Sequence, residues 1–156
     1  ATKIKSYMEK LQSTGCYQVD EATLKAIQET FSAGYLDDNA TKKCIHDIYQ
    51  QDNYVADTHT AVAWQVAQDY QKSTQDKTPM VVLSTASPYK FSDSVLSALG
   101  EDISDKDEFA LLDKLSTLNK DKIPQGLAQL QSLPILHNNL CAKEDMIKAV
   151  NTFLNI

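Results

Sequence analysis

The stretch PMVVLSTASPYKF, Pro79–Phe91, decides how this sequence is interpreted. Its run of apolar residues, Met80–Leu83, is typical of a short strand that is buried on both faces. Hydroxyl side chains follow that run at once, at Ser84, Thr85 and Ser87. In open α/β sheets, ligands bind at the carboxyl ends of strands, beside helix N-termini. The hydroxyls therefore occupy a place where a ligand could bind, although hydroxyls between a strand and a helix more often form turns and caps.

The rest of the chain is predicted to be helical. Apolar residues at helical spacing indicate six or seven helices, against one clear strand at residues 80–85. The predicted class is therefore α/β, mostly helical, and a chain of 156 residues suits one unit spanning 1–156. A lone buried strand would leave backbone groups unpaired, at about 1–3 kcal/mol for each group. We therefore expect its partner strands to lie outside this sequence; an unrecognised small sheet is the alternative.

A second polar cluster precedes a predicted helix from about Thr58 to Tyr70. Asp57, Thr58 and Thr60 crowd the start of this helix, where a carboxylate or hydroxyl can satisfy free N–H groups. His59 is a candidate general acid or base, although a lone histidine is more often structural. The segment TAVAWQVA in this helix is apolar nearly all round, which predicts that the helix is deeply buried.

The ends of other helices are predicted from glycine and capping residues. Gly15, Gly34 and Gly100 each follow an apolar helical pattern and are expected to end a helix. Ser92 is expected to cap the helix after the strand. The last helix is predicted at about Lys143–Leu154, with one apolar face.

Composition argues against several classes of function. The net charge is −6 and all fifteen basic residues are lysines, so a nucleic-acid interface is not indicated. No apolar run approaches the roughly 20 residues of a membrane span. The three cysteines are far apart, without disulfide or metal-ligand spacing, and are expected to be small buried apolar residues of a reduced, cytoplasmic protein.

The first residues already have a helical pattern without an initiator Met, which suggests a piece of a longer polypeptide; an engineered start is the alternative.

Three segments, in order, carry a family resemblance. DNYVADTHTAVAW is similar to GYLIDPHTAVA, VVLSTASPYKFSDSVLSALG to VVLATAHPAKF, and LPILHNNLCAKEDMIKAV to LPLLSHNL. On these motifs the chain resembles the C-terminal part of the threonine synthase family. These are fold-type II pyridoxal-phosphate enzymes, which convert O-phosphohomoserine and water to threonine and phosphate by γ-elimination and β-addition. The resemblance thus implies a small-molecule substrate, pyridoxal 5'-phosphate and the rest of the enzyme chain as partners.

The resemblance also implies roles for individual residues. By motif, the Thr85 hydroxyl would bond the pyridine nitrogen of the cofactor, with Ser84 and Ala86 beside it. The residues expected at the substrate edge of the site are Asp57, His59, Ser87 and Lys90. Two positions depart from the family: Ser87 replaces a histidine, and Thr58 replaces a proline. A serine could keep one hydrogen bond of that histidine but could not shuttle its proton.

The family's Schiff-base lysine and its glycine/asparagine phosphate loop have no counterpart in this sequence. Lys90 belongs to the AKF position of the motif and is not that lysine. No catalytic residue is therefore assigned, and the chain alone is expected to be inactive. The alternatives are a self-standing helical binding module that reuses the scaffold, and a part of another fold-type II enzyme such as a tryptophan-synthase-like relative.

Overall fold

The computed structural model describes residues 1–104 and 107–156, and in these ranges the regular structure is helical. The α-helices are α1 (Thr2–Thr14), α2 (Glu21–Gln28), α3 (Asp38–Asp52), α4 (Thr58–Thr74), α5 (Ser92–Ala98), α6 (Glu108–Leu118), α7 (Gln125–Ala128) and α8 (Met146–Leu154). Short 3-10 turns lie at Pro88–Phe91, Leu130–Ser132 and Lys143–Asp145. In the same ranges, no helix combines the length and apolar character needed to cross a bilayer.

The prediction of a clear strand at residues 80–85 is wrong for this structure. These residues are irregular, and within the described ranges no β-strand is present. Val81 and Leu83, expected to be buried, are 85% and 72% exposed. A strand exists only through hydrogen bonds to a neighbouring strand, and none of the described backbone hydrogen bonds involves residues 79–86. The apolar run is present, but the described residues contain no sheet that would make it a strand.

The core is formed by four of these helices. α3 packs against α4 and α5, and α5 packs against α6. Each of α3, α5 and α6 contributes residues three or four positions apart, which lie on one helix face. The buried residues of these three faces include Cys44, Ile45, Ile48, Val95, Leu96, Leu111, Leu112 and Leu115. Burial of each large apolar side chain favours folding by about 1.5–3 kcal/mol, so this cluster fixes the helices beside the hydroxyl-rich segment.

Helices α4 and α8 are more exposed than the sequence predicts. Only Thr60 and Ala61 of α4 are buried, and Trp64 is 36% exposed, so the prediction of deep burial is wrong here. α3 is the helix that packs extensively against α4, and the other faces of α4 border open grooves. α8 is present as predicted, yet its apolar face is exposed, including Phe153 at 73%.

Predicted helix ends are partly confirmed. Gly15 and Gly100 follow α1 and α5 with φ of 78° and 80°, a left-handed conformation that favours glycine. Gly34 does not end a helix, because α2 already stops at Gln28. Ser92 is the first residue of α5 and not its cap; its hydroxyl donates to the carbonyl of Tyr89 at 3.1 Å.

Gly34 instead allows a close approach to α4. A Cβ added at Gly34 would lie 2.9 Å from Cγ1 and 3.0 Å from Cγ2 of Val66. Because a β-branched side chain in a helix has one strongly preferred rotamer, Val66 cannot easily move aside.

We expect Gly34→Ala to destabilise the chain by about 1 kcal/mol, since the new methyl group must push the 32–35 segment away from α4. The matched control is Gly126→Ala in α7, where an added Cβ meets no atom within 4 Å. That change should be neutral or slightly stabilising. Urea unfolding of both variants measures the difference, and equal stability of the two would contradict the close approach.

The three cysteines do not share one environment. Cys44 is buried where α3 meets α4, and its thiol donates to the carbonyl of Ala61 at 3.3 Å. Burial raises the pKa of the Cys44 thiol, which keeps it protonated. Cys16 and Cys141 are exposed, so the prediction of burial holds for Cys44 alone.

At pH 8 a thiol reagent should therefore modify Cys16 and Cys141 quickly and Cys44 slowly, because the thiolate is the reactive form and a raised pKa lowers its fraction. Mass spectrometry of the labelled peptides gives the rate at each position. In urea all three should react at similar rates. Fast labelling of Cys44 in the folded chain would show that α3 and α4 do not pack as described.

Candidate functional site

The site is organised around a buried carboxylate at the start of α4. Asp57 is 1% exposed and is the N-cap of α4. Its Oδ1 accepts hydrogen bonds from the backbone N–H groups of His59 at 2.9 Å and Thr60 at 3.2 Å, and its Oδ2 accepts the hydroxyl of Thr60. These donors, with the positive end of the helix dipole, stabilise a negative charge away from water. The capping role predicted for Asp57 is confirmed.

Side-chain hydroxyls continue from this carboxylate to the segment that precedes the 3-10 turn. Thr60 Oγ1 lies 3.2 Å from Ser84 Oγ, and Ser84 Oγ lies 3.3 Å from the Tyr54 hydroxyl. Thr60 Oγ1 is placed as a donor toward both the Asp57 carboxylate and Ser84 Oγ, and its one hydrogen can serve one of them at a time. Either Tyr54 or Ser84 can donate in the bond between their hydroxyls. We call these four residues, Asp57, Thr60, Ser84 and Tyr54, the hydroxyl clamp.

The neighbouring predicted residues have different surroundings. Thr85 is exposed, and no hydrogen bond to its side chain occurs among the described residues. Ala86 is half-buried. Ser87 is the N-cap of the Pro88–Phe91 turn, where its hydroxyl accepts the N–H of Tyr89 at 3.4 Å. Of the hydroxyls at 84, 85 and 87, Thr85 is therefore the one whose hydrogen-bonding groups are all open to a ligand.

The far side of this segment is also anchored. Tyr89 is 4% exposed, and its hydroxyl donates to the carbonyl of Asp121 at 2.6 Å. Burial raises the pKa of the Tyr89 phenol, which keeps it a donor. Thr85 thus lies between two held points, Ser84 and Tyr89.

His59 faces a cleft beside the clamp. Its side chain is 65% exposed, and its ring centroid lies 5.1 Å from that of Phe91. Its Nδ1 is 3.3 Å from Thr58 Oγ1 and 3.6 Å from Asp57 Oδ1. The cleft measures about 510 Å³ and is lined in part by His59, Thr58, Lys42 and Phe91. An imidazole there can exchange protons with a bound molecule.

The structure does not bring Lys90 into that cleft. Lys90 is exposed and lines a different cleft of about 610 Å³, together with Glu108 and Phe109. Its predicted place at the substrate edge stays a prediction. Within the described ranges, no group of three or more His, Cys, Asp or Glu side chains is arranged to hold a metal ion.

Sequence reasoning missed the connection between the two polar clusters. The sequence places Thr60 only at the start of a helix and gives no indication of a role for Tyr54. Tyr54 and Thr60 lie 30 and 24 positions from Ser84, so no local spacing indicates that they meet. The only available signal was that both clusters carry hydroxyls in excess of what one helix cap requires.

We expect Asp57→Ala to destabilise the chain by about 2–4 kcal/mol, because it removes the cap and leaves the buried Thr60 hydroxyl without its acceptor. Asp37→Ala is the matched control: Asp37 is the exposed N-cap of α3 and accepts the N–H of Ala40 at 2.8 Å. That variant should lose only about 1 kcal/mol. Thermal or urea unfolding compares the two, and a cost for Asp57→Ala no larger than for Asp37→Ala would contradict the buried network.

Comparison with known proteins agrees with this arrangement. The family described as "Threonine synthase, C-terminal" matches residues 60–150, more than half of the chain. Human threonine synthase-like 1 is 33% identical over 134 residues, covering 84% of this chain and 16% of that protein. Threonine synthase of Saccharomyces cerevisiae is 30% identical over 139 residues, covering 83% of this chain and 24% of that protein.

A solved structure shows the same fold. The PLP-bound threonine synthase from Brucella melitensis superposes with a TM-score of 0.65 at 27% identity, over 98% of this chain and 28% of that one. This chain therefore spans about a quarter or less of the length of these relatives. The family match, which includes α4 from Thr60 onward, the hydroxyls at 84–87 and α5, shows that the chain belongs to the threonine synthase C-terminal family.

Proposed function

We propose that this chain acts as the C-terminal part of a threonine synthase, a pyridoxal-phosphate-dependent lyase that converts O-phospho-L-homoserine and water to L-threonine and phosphate. Its role would be to supply one wall of the cofactor and substrate site. The observation that carries the proposal is Thr85, an exposed hydroxyl without a described partner, held between Ser84 and Tyr89 in a family-matched segment.

The residues present fit the ring of pyridoxal 5'-phosphate. A threonine hydroxyl can donate to a neutral ring nitrogen, or accept from a protonated one, so Thr85 would hold that nitrogen without forcing it to carry a proton. The bound cofactor supplies an electron sink for carbanion chemistry. Ser84 and Ala86 would lie beside the ring, with the Ser84 hydroxyl already bonded to Thr60.

The substrate edge would be formed by His59 and Ser87. The His59 Nδ1 lies beside the Thr58 hydroxyl, which leaves Nε2 as the atom that would exchange a proton with a substrate in the cleft. Thr58 also fills the helix-start position where the family has proline, and the helix begins there all the same. Ser87 binds the N–H of Tyr89, so it would orient the turn and would not shuttle protons.

The covalent attachment of the cofactor is assigned to no residue of this chain. Lys90 lies in another cleft from His59, which supports the expectation that it is not the Schiff-base lysine. The proposal includes a cytoplasmic location, supported by three cysteines that are unpaired. The family match favours this function over a self-standing helical binding module.

Thr85→Val tests the proposal in the full-length polypeptide that carries this segment. Valine has nearly the same shape but no hydroxyl, so the dissociation constant for pyridoxal phosphate should rise about tenfold, the equivalent of about 1.4 kcal/mol. Thr85→Ser keeps the hydroxyl and should bind within about threefold of the wild type. Titration followed by cofactor absorbance measures both.

Two further results bear on the same proposal. The wild-type polypeptide should form threonine and inorganic phosphate from O-phosphohomoserine. Unchanged affinity and an unchanged cofactor spectrum in Thr85→Val would contradict the role given to Thr85. Absence of any cofactor binding by the wild type would contradict the proposed function as a whole.

A further inference from the structure

We propose that Asp57 and Thr60 are positioning residues for the cofactor site: through Ser84 they fix the chain immediately before Thr85 and so set where the Thr85 hydroxyl lies. This inference rests on the proposed function for the identity of the ligand. The linkage itself rests only on the hydroxyl clamp and the burial of its base.

Among the described residues, the hydroxyl clamp supplies the side-chain hydrogen bond that joins α4 to the 79–86 segment. That segment takes part in none of the described backbone hydrogen bonds, and Val81 and Leu83 are exposed. The side-chain bonds of Ser84 to Thr60 and Tyr54, at 3.2 and 3.3 Å, are therefore the described hydrogen bonds that hold residue 84.

The base of the clamp is rigid. Asp57 and Thr60 are 1% and 6% exposed, and Asp57 also binds the backbone of α4 through two N–H groups. A hydroxyl bonded to a carboxylate is a charge-assisted pair, roughly twice as strong as a neutral one. Ser84 is therefore held against α4, and α4 in turn packs against α3 of the apolar core.

The adjacent hydroxyls of Ser84 and Thr85 have different surroundings. Ser84 Oγ lies within hydrogen-bond distance of both Thr60 Oγ1 and the Tyr54 hydroxyl. Thr85, with no described partner, keeps both donor and acceptor for the cofactor.

The test uses the full-length polypeptide with pyridoxal phosphate as the probe. Thr60→Val and Ser84→Ala each remove one link, and Thr60→Ser keeps the hydroxyl. The matched control is Thr74→Val, at the other end of α4, where the hydroxyl donates to the carbonyl of Tyr70 at 2.8 Å and accepts the N–H of Asp76 at 3.3 Å. Each variant is measured for cofactor dissociation constant, for the absorption maximum of the bound cofactor, and for the unfolding midpoint without cofactor.

Thr60→Val and Ser84→Ala should each raise the dissociation constant about five- to tenfold and shift the absorption maximum, since Thr85 is no longer held toward the ring. Thr60→Ser and Thr74→Val should stay within about twofold of the wild type. Ser84 is exposed, so Ser84→Ala should fold normally even where Thr60→Val does not. Loss of stability alone would not produce a spectral shift in the folded, loaded protein.

The inference is overturned if the wild type binds the cofactor and Ser84→Ala binds it with the same affinity and spectrum. That outcome leaves the proposed function intact. A wild type that takes up no pyridoxal phosphate overturns both, and the two failures are thus distinguishable.

Discussion

The buried carboxylate of Asp57 is the constraint on which this part of the fold depends. An unpaired buried charge is strongly destabilising, and no lysine lies beside this one among its described contacts. Two N–H groups, one hydroxyl and the helix dipole meet the requirement instead, which fixes where α4 starts and how the Thr60 side chain is turned. From that fixed hydroxyl the arrangement extends to Ser84 and then to Thr85.

The packed core holds the helices that carry the site residues in fixed positions. α3, α5 and α6 bury their apolar faces on one another, and α4 joins them through Ala61 and the Cys44 thiol. The Pro88–Phe91 turn is tied to the loop after α6 by Tyr89. A site with its polar residues on loops is thus held by helices at both sides, which is the usual way a rigid scaffold presents binding residues.

Several helix boundaries could be predicted from the sequence, because they depend on residues close together along the chain. Asp57 as a cap and Gly15 and Gly100 as helix ends follow from backbone chemistry and helical periodicity. The strand at 80–85 and the deep burial of α4 could not be settled that way, because each depends on what packs or pairs on the far side. Met80–Leu83 is apolar enough for a buried strand, yet pairing partners alone make one.

The same distinction between local pattern and long-range contact applies to the residues of the site. The motifs at 57–60 and 84–87 are indicated by their residue types. The family match covers residue 60 and residues 84–87, but not residues 57–59. The contact between the two motifs, from Thr60 to Ser84 to Tyr54, joins residues far apart in the sequence, so local spacing does not predict it. Lys90 shows the reverse case, since it is adjacent to the motif in sequence but lines a separate cleft.

The most direct test of this account is a crystal structure of the full-length polypeptide with pyridoxal phosphate bound. The account predicts that Ser84 Oγ keeps its bond to Thr60, and that Thr85 Oγ1 lies about 3 Å from the pyridine nitrogen. A Thr85 hydroxyl turned away from the ring, with the Thr60–Ser84 bond broken, would contradict it.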